Sequence, residues 1–218
     1  MLDLSVYKNF IFDLDGVLVD SNELKEHVFS YQCSLHVGDK YLVYYRSYFL
    51  CKGLTRFTIL SRLLDYILLE NPDSSIDIRY LLDEFSRLSL DLLSQARVPH
   101  RLDSLRFKYD HSQWFVLTAA PLDDSLEFLR KKNFLQFFDG GIFGSPLSKY
   151  ENYPKIFLLL QQGPTLFIGD SYSDYEVSQY FKIDFCFVSS WSTCDRTHLL
   201  FNSRNICHTP SIDDLVNI

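Results

Sequence analysis

From residue 114 to residue 188, short and mainly apolar runs alternate with amphipathic helical stretches, and that alternation admits few folds. The runs fall at 114–117, 140–143, 165–168 and 184–188, with helical stretches at 122–132, 151–161 and 173–181. Four- or five-residue apolar runs suit strands buried on both faces, and a helix between consecutive strands is what a parallel connection requires. The expected core is therefore an α/β parallel sheet with helices on both faces. An open sheet of that kind binds ligands beyond the carboxyl ends of its strands, so the residues just past each run are candidate site residues.

A further apolar run, Asn9 to Phe12, leads directly into Asp13-Leu14-Asp15-Gly16-Val17. In an extended segment residues i and i+2 project to the same side, so Asp13 and Asp15 can address one reacting centre. Gly16 permits a sharp turn behind them. Two carboxylates this close repel each other unless a cation compensates, and hard oxygen ligands suit Mg²⁺. For these five residues alone, an ordinary Asp-Gly turn ending a strand is the competing reading. Three later elements bear on the choice: a strand ending in a hydroxyl (Trp114 to Thr118), a lysine on the loop Ser145-Pro146-Leu147-Ser148-Lys149, and an apolar strand running into Gly169-Asp170-Ser171-Tyr172-Ser173-Asp174. Asp13, Thr118 and Asp170 each fall just past the end of an expected strand.

Between the first two elements the pattern is helical, with stretches at 21–35, 40–51, 54–70 and 76–97. Asp20 followed by Glu23 is an N-terminal cap signal, and Leu54, Phe57, Leu60, Leu64 and Ile67 recur at helical intervals. Asn71-Pro72-Asp73-Ser74-Ser75 marks a turn, and Val98-Pro99-His100 returns the chain. The expected division is a core of 1–20 and 98–218 with an inserted helical domain at 21–97. A chain of 218 residues, 47% hydrophobic, is long enough to support both.

A formal net charge of −7 without a dense Lys/Arg run argues against a nucleic-acid or anionic-membrane partner, so any phosphate affinity is local. Five scattered cysteines (Cys33, Cys51, Cys186, Cys194, Cys207) form neither a C-x-x-C pair nor a zinc spacing and read as reduced thiols, mostly core filler. No apolar run approaches the ~18 residues of a membrane span, and no basic-then-apolar leader opens the sequence, so a cytoplasmic location is expected.

The four elements, in this order, resemble the haloacid dehalogenase superfamily of phosphohydrolases over nearly the whole chain, and in particular its phosphoglycolate phosphatase and β-phosphoglucomutase-like members. The resemblance implies a Rossmann-like parallel sheet core plus an inserted four-helix cap. It also implies a Mg²⁺-dependent phosphomonoesterase acting on a small phosphorylated metabolite, a sugar phosphate first, through an aspartyl-phosphate. On that footing Asp13 is the nucleophile, Asp15 the general acid and base, and Thr118 a hydroxyl donor to a phosphoryl oxygen. Lys149 is a point charge toward phosphate and nucleophile. Asp13, the Asp15 carbonyl and Asp170 would hold the ion. Asp174 either completes the outer coordination or orients Lys149, with helix capping as a structural alternative.

Departures from the family pattern are Ala119 and Ala120 where Asn or Gly often follows the hydroxyl, and Tyr150 where Pro commonly follows the lysine. Lys155 reads as a solvated helix residue. In the cap, Cys51-Lys52-Gly53-Leu54-Thr55-Arg56 resembles the Lys-Gly-x-Ser-Arg segment of β-phosphoglucomutase relatives. That implies Lys52, Gly53 and Arg56 at the distal end of the substrate, against a plain reading of Arg56 on an exposed helix start. Tyr41, Tyr44, Tyr45, Tyr48 and Phe49 either stack on a sugar or pack the cap. Asp20 to Lys25 resembles phosphatases encoded with sugar-nucleotide and surface-polysaccharide enzymes. A phosphomutase is the nearest rival, although it carries a histidine where this chain has Lys25. Asp15 speaks against a haloacid dehalogenase, and a catalytically silent binding protein is the rival from another class.

Overall fold

The computed structural model describes residues 3–39, 41, 55–194 and 206–217, with residue 91 described by its backbone alone. Among them lies one parallel sheet of six strands: β1 (Asn9–Phe12), β2 (Gln113–Pro121), β3 (Gly141–Ser145), β4 (Thr165–Gly169), β5 (Asp184–Val188) and β6 (Cys207–Thr209). Their order is β3-β2-β1-β4-β5-β6, and every neighbouring pair is parallel. The chain leaves β1 for β2 and β3 on one side, then returns to place β4 on the other. That reversal beside β1 opens a crevice at the carboxyl ends of the strands.

The strands alternate their side chains between two cores. Phe10, Phe12, Trp114, Val116, Leu166, Ile168 and Cys186 pack on one face. Ile11, Phe115, Leu117, Phe167, Phe185 and Phe187 pack on the other. A strand with both faces buried needs no polar alternation, which is why these segments read as unbroken apolar runs. Helices α4 (Leu102–Lys108) and α5 (Leu122–Lys131) contribute Leu102, Leu105 and Leu129 to the first core. Helices α6 (Lys149–Phe157) and α7 (Tyr172–Phe181) contribute Tyr153, Ile156 and Val177 to the second.

A third core joins α1 (Asn22–His36), α2 (Arg56–Glu70) and α3 (Ile78–Gln95) through Phe29, Leu60, Leu63, Leu81 and Phe85. Helix α2 starts at Thr55, whose hydroxyl accepts from the Thr58 amide, and α3 at Asp77, whose carboxylate accepts from the Tyr80 amide. The two chain crossings into this region are clasped together. The Asp20 amide donates to the Arg97 carbonyl at 2.9 Å, and the Asp20 carboxylate pairs with the Arg97 guanidinium at 2.5 Å. Tyr41 is buried against Tyr66, so the described member of the aromatic cluster packs the helical core. The remaining residues expected as a helix at 40–51 lie outside the described residues.

Several expectations need adjustment. Asp20 does not cap α1: Ser21 holds that position, and the Asp20 carboxylate is taken by Arg97. Strand β2 runs past Thr118 to Pro121, with an irregular register between Leu117 and Pro121, so Thr118 sits inside the strand at its distortion. Helix α6 begins at Lys149 because Ser148 forms a capping box with Glu151, which places Lys149 on a helix and not on a loop. Helix α4 and strand β6 lack the apolar periodicity that marked the other elements, and both are too short to show it. No helix among the described residues is long and apolar enough to cross a membrane.

Candidate active site

Four pieces of chain meet at the carboxyl end of the sheet. Asp13 follows β1, and its amide extends the ladder by donating to the Ile168 carbonyl at 2.9 Å. Its carboxylate accepts from the Leu14 amide at 2.7 Å and from the Lys149 ammonium at 2.8 Å. Lys149, in the first turn of α6, also donates to Asp174 at 2.5 Å. Asp174 accepts in turn from the Ser171 amide and hydroxyl at 3.1 and 2.6 Å, closing the capping box of α7. The Asp174 carboxylate thus caps α7 and also contacts Lys149.

Asp170 follows β4, with its carboxylate accepting from the Asn22 amide group at 2.7 Å and its carbonyl from the Ser192 hydroxyl at 2.5 Å. Two glycines make room for this. A Cβ at Gly16, where φ is +74°, would lie 2.1 Å from an Asp170 carboxylate oxygen and 2.4 Å from the Asn22 side-chain nitrogen. A Cβ at Gly169 would lie 2.4 Å from that of Asp174. Gly16 therefore serves close approach as well as the turn.

Asp13, Asp170 and Asp174 are all buried, and each offers an oxygen within 4.8 Å of the others. Carboxylate oxygens gathered this closely are hard donors of the kind that would hold a divalent cation such as Mg²⁺. Charge gives the same answer. Two buried carboxylates, Asp13 and Asp174, share the Lys149 ammonium and a third, Asp170, lies beside them without a cationic partner of its own, so the cluster carries more carboxylates than cations. Burial first, then the Asp174 and Asp15 carboxylates, push Asp13 up to about 7 despite the opposing pull of Lys149. Burial followed by Asp13 and Asp174 raises Asp170 well above the carboxylate range. Burial alone would lower Lys149, but Asp13 and Asp174 outweigh it and hold the ammonium protonated. The donor set fits a divalent cation.

Asp15 behaves differently. Its carboxylate accepts from the Ser21 hydroxyl and the Lys25 ammonium, both at 2.5 Å. Burial would raise it, yet Lys25 and Ser21 outweigh burial and hold it below the ordinary carboxylate range. Thr118 is fully buried, and its hydroxyl oxygen accepts from the Ala120 amide at 3.0 Å. Backbone thus steadies that hydroxyl where Ala119 and Ala120 carry no polar side chain, and its own O–H is still a donor. Tyr150 packs on the rings of Tyr180 and Phe181, so the departure from Lys-Pro leaves Lys149 in contact with Asp13. Lys155 is exposed, as its helix position suggests.

A cavity of about 130 Å³ opens over this cluster. Asp13, Asp15, Lys149 and Asp170 form one end, and Phe29, Arg56, Ile59 and Phe85 the other. Arg56 is not on an exposed helix start. It donates to the Ser86 hydroxyl at 2.7 Å, pairs with Asp124 of α5 at 2.9 Å, and lies over the Phe85 ring at 4.7 Å. Lys52 and Gly53 lie outside the described residues. Ser21, Asn22, Lys25 and Asp124 were assigned no role from sequence. The first three lie in the Asp20-to-Lys25 segment that carried a family resemblance, and Ser21 and Lys25 share a helix face at the start of α1.

No family model and no curated protein matches the chain. Solved structures do match it. A predicted phosphoglycolate phosphatase from Haemophilus somnus 129PT aligns over 99% of each chain at 15% identity with a TM-score of 0.72. A predicted phosphatase from Clostridium acetobutylicum aligns over 97% of each at 19% identity and 0.71. The haloacid dehalogenase-type hydrolase YfnB from Bacillus subtilis, whose structure holds magnesium, aligns over 97% of this chain and 99% of its own, at 18% identity and 0.64. The chain has the fold of the haloacid dehalogenase-like hydrolases, helical cap included.

Proposed function

We propose that the protein is a Mg²⁺-dependent phosphomonoesterase acting on a small phosphorylated metabolite, with a sugar phosphate the first candidate. The contact of Asp13 with a buried Lys149, itself held by Asp174, beside Asp170 carries the reading. Residues 1–20 and 98–218 form the catalytic domain in this reading, and 21–97 the cap. The negative net charge and the small size of the cavity favour a small anion bound locally over a nucleic acid.

A carboxylate oxygen of Asp13 attacks phosphorus, the ester bond to the leaving group breaks, and an aspartyl-phosphate forms. Asp15 gives the leaving oxygen a proton, then takes one from the water that releases inorganic phosphate and regenerates Asp13. The Lys25 and Ser21 contacts favour the ionised, proton-accepting form of Asp15, so proton delivery requires it to leave them. Such proton transfer is worth about 10²- to 10⁴-fold, a minor share of what monoester hydrolysis demands. Lys149 and the Thr118 hydroxyl supply further stabilisation at the phosphoryl oxygens. Mg²⁺ held by Asp13, the Asp15 carbonyl and Asp170 would neutralise phosphoryl charge. Arg56, with Lys52 and Gly53, would meet the distal part of the substrate.

Turnover of p-nitrophenyl phosphate should require Mg²⁺, cease with a chelator, and vanish in Asp13→Asn. Turnover that survives that substitution rejects the assigned nucleophile. A panel of sugar, nucleotide and glycolate phosphates, read by released inorganic phosphate, then ranks substrates; isomer formation without phosphate release would indicate a mutase.

A further inference from the structure

Strand β6 ends the sheet among the described residues, and it pairs with β5 so that Cys207 lies directly opposite Cys186. Their sulfurs are 3.0 Å apart. Neighbouring strands run about 4.8 Å apart, inside the Cα separations that disulfides span, and an S–S bond is about 2.05 Å long. Only a closure of about 1 Å separates the two thiols from a bond.

We infer that Cys186 and Cys207 form a disulfide site, closed by oxidants and reopened by thiols. The two sulfurs have distinct parts in its chemistry. Cys186 is fully buried inside the sheet, while Cys207 is half-buried on the edge strand and can be approached from outside. The hydrogen bond from Cys186 lowers the Cys207 thiol and raises Cys186 itself, which favours thiolate on the accessible sulfur. With a small disulfide as oxidant, the Cys207 thiolate attacks one of its sulfurs, forming a mixed disulfide and expelling one thiolate. Cys186 then loses its proton to solvent and attacks the Cys207 sulfur, expelling the second thiolate and closing the bridge. Two electrons pass from the cysteine pair to the external disulfide, which leaves as two thiols.

The bridge closes the base of the segment that includes Trp191 and Ser192. The Trp191 carbonyl accepts from Asn22, and the Ser192 hydroxyl donates to the Asp170 carbonyl. Oxidation therefore ties the edge strand and this segment into one covalent loop, closed across 21 positions of sequence. Such a loop restricts the unfolded chain, and the melting temperature should rise by about 5–10 °C.

The test uses the full chain treated with glutathione disulfide, followed by peptide mapping without reduction and by thermal melting. A linked pair of peptides containing Cys186 and Cys207, with the rise in melting temperature reversed by dithiothreitol, is the expected result. Cys186→Ala should stop at a glutathionyl group on Cys207, and Cys207→Ser should give neither the link nor the rise. Glutathionylated Cys207 persisting beside reduced Cys186 in the wild type, or a bridge to another cysteine, would overturn the assignment. Both readouts are independent of catalysis, so they stand or fall apart from the phosphatase reading.

Discussion

The floor of the cavity and its opposite wall draw on the chain in contrary ways. Asp13, Lys149, Asp170 and Asp174 come from remote segments, and strand register together with two capped helix starts brings them to one place, with Lys149 in contact with Asp13 and Asp174. Asn22, Lys25 and Phe29 come from two turns of one helix, and each meets a different partner: Asp170, Asp15 and the Phe85 ring. On the floor Asp13 and Asp174 share one buried ammonium and Asp170 lies beside them, so removing Lys149 disturbs the whole cluster. Across the cavity the contacts are more separable, and each change should cost less.

The sharpest test of that contrast is Lys149→Met. It leaves Asp13 and Asp174 buried without their cation, which should cost about 3–5 kcal/mol in urea unfolding and about 10³-fold or more in turnover. Added Mg²⁺ should raise the unfolding midpoint of the variant more than that of the wild type. Equal responses would show that the carboxylates do not share one cation site.

Gly16→Ala comes next. The new methyl group collides with Asp170 and Asn22, so Mg²⁺ affinity measured by calorimetry should fall about 10- to 100-fold, while circular dichroism keeps its helical signal. A double-mutant cycle on Arg56→Ala and Asp124→Ala should give a coupling of about 1 kcal/mol in stability, since the Asp124 side chain is a third exposed. The effect on KM should exceed that on kcat. A coupling of zero would show that the Arg56–Asp124 pair contributes nothing to stability.

The smallest effect is expected at Glu84, in the helical core, where it accepts from Gln32 and from the His36 ring. Burial would raise this carboxyl, but those hydrogen bonds outweigh it and hold it below its ordinary value. A depressed folded pKa means that the stabilisation is present above the unfolded value of about 4.3 and is lost as pH falls through the folded one. Wild type should therefore lose about 1 kcal/mol more than Glu84→Gln between pH 5 and pH 3, read from urea midpoints. Parallel profiles would remove Glu84 from the account.

The same contrast explains what sequence could disclose. Strands buried on both faces leave unbroken apolar runs, and chemistry placed at their ends follows from topology, so Asp13 and Asp170 were legible although remote from one another, whereas Lys149 rested on the family resemblance. Thr118 was legible as a hydroxyl but misplaced by a boundary, because the distortion of β2 is a property of pairing with β3 and leaves no local mark. Asn22 and Asp124 stayed hidden. Each is a polar residue in the first turn of a helix, where such residues are common, and what distinguishes them is a contact across the cavity. Asp20 shows the converse: an apt capping signal was overridden by the guanidinium of Arg97, a tertiary partner beyond any local pattern.

The bond from Asn22 to Asp170 has a consequence for energetics. Asn22 opens α1, yet its amide holds an oxygen of Asp170, a member of the acidic cluster. A cation bound to the Asp170 carboxylate would alter the strength of that bond, and with it the hold on the start of α1. By thermodynamic linkage, cation affinity and the seating of α1 would then bias each other to the same degree.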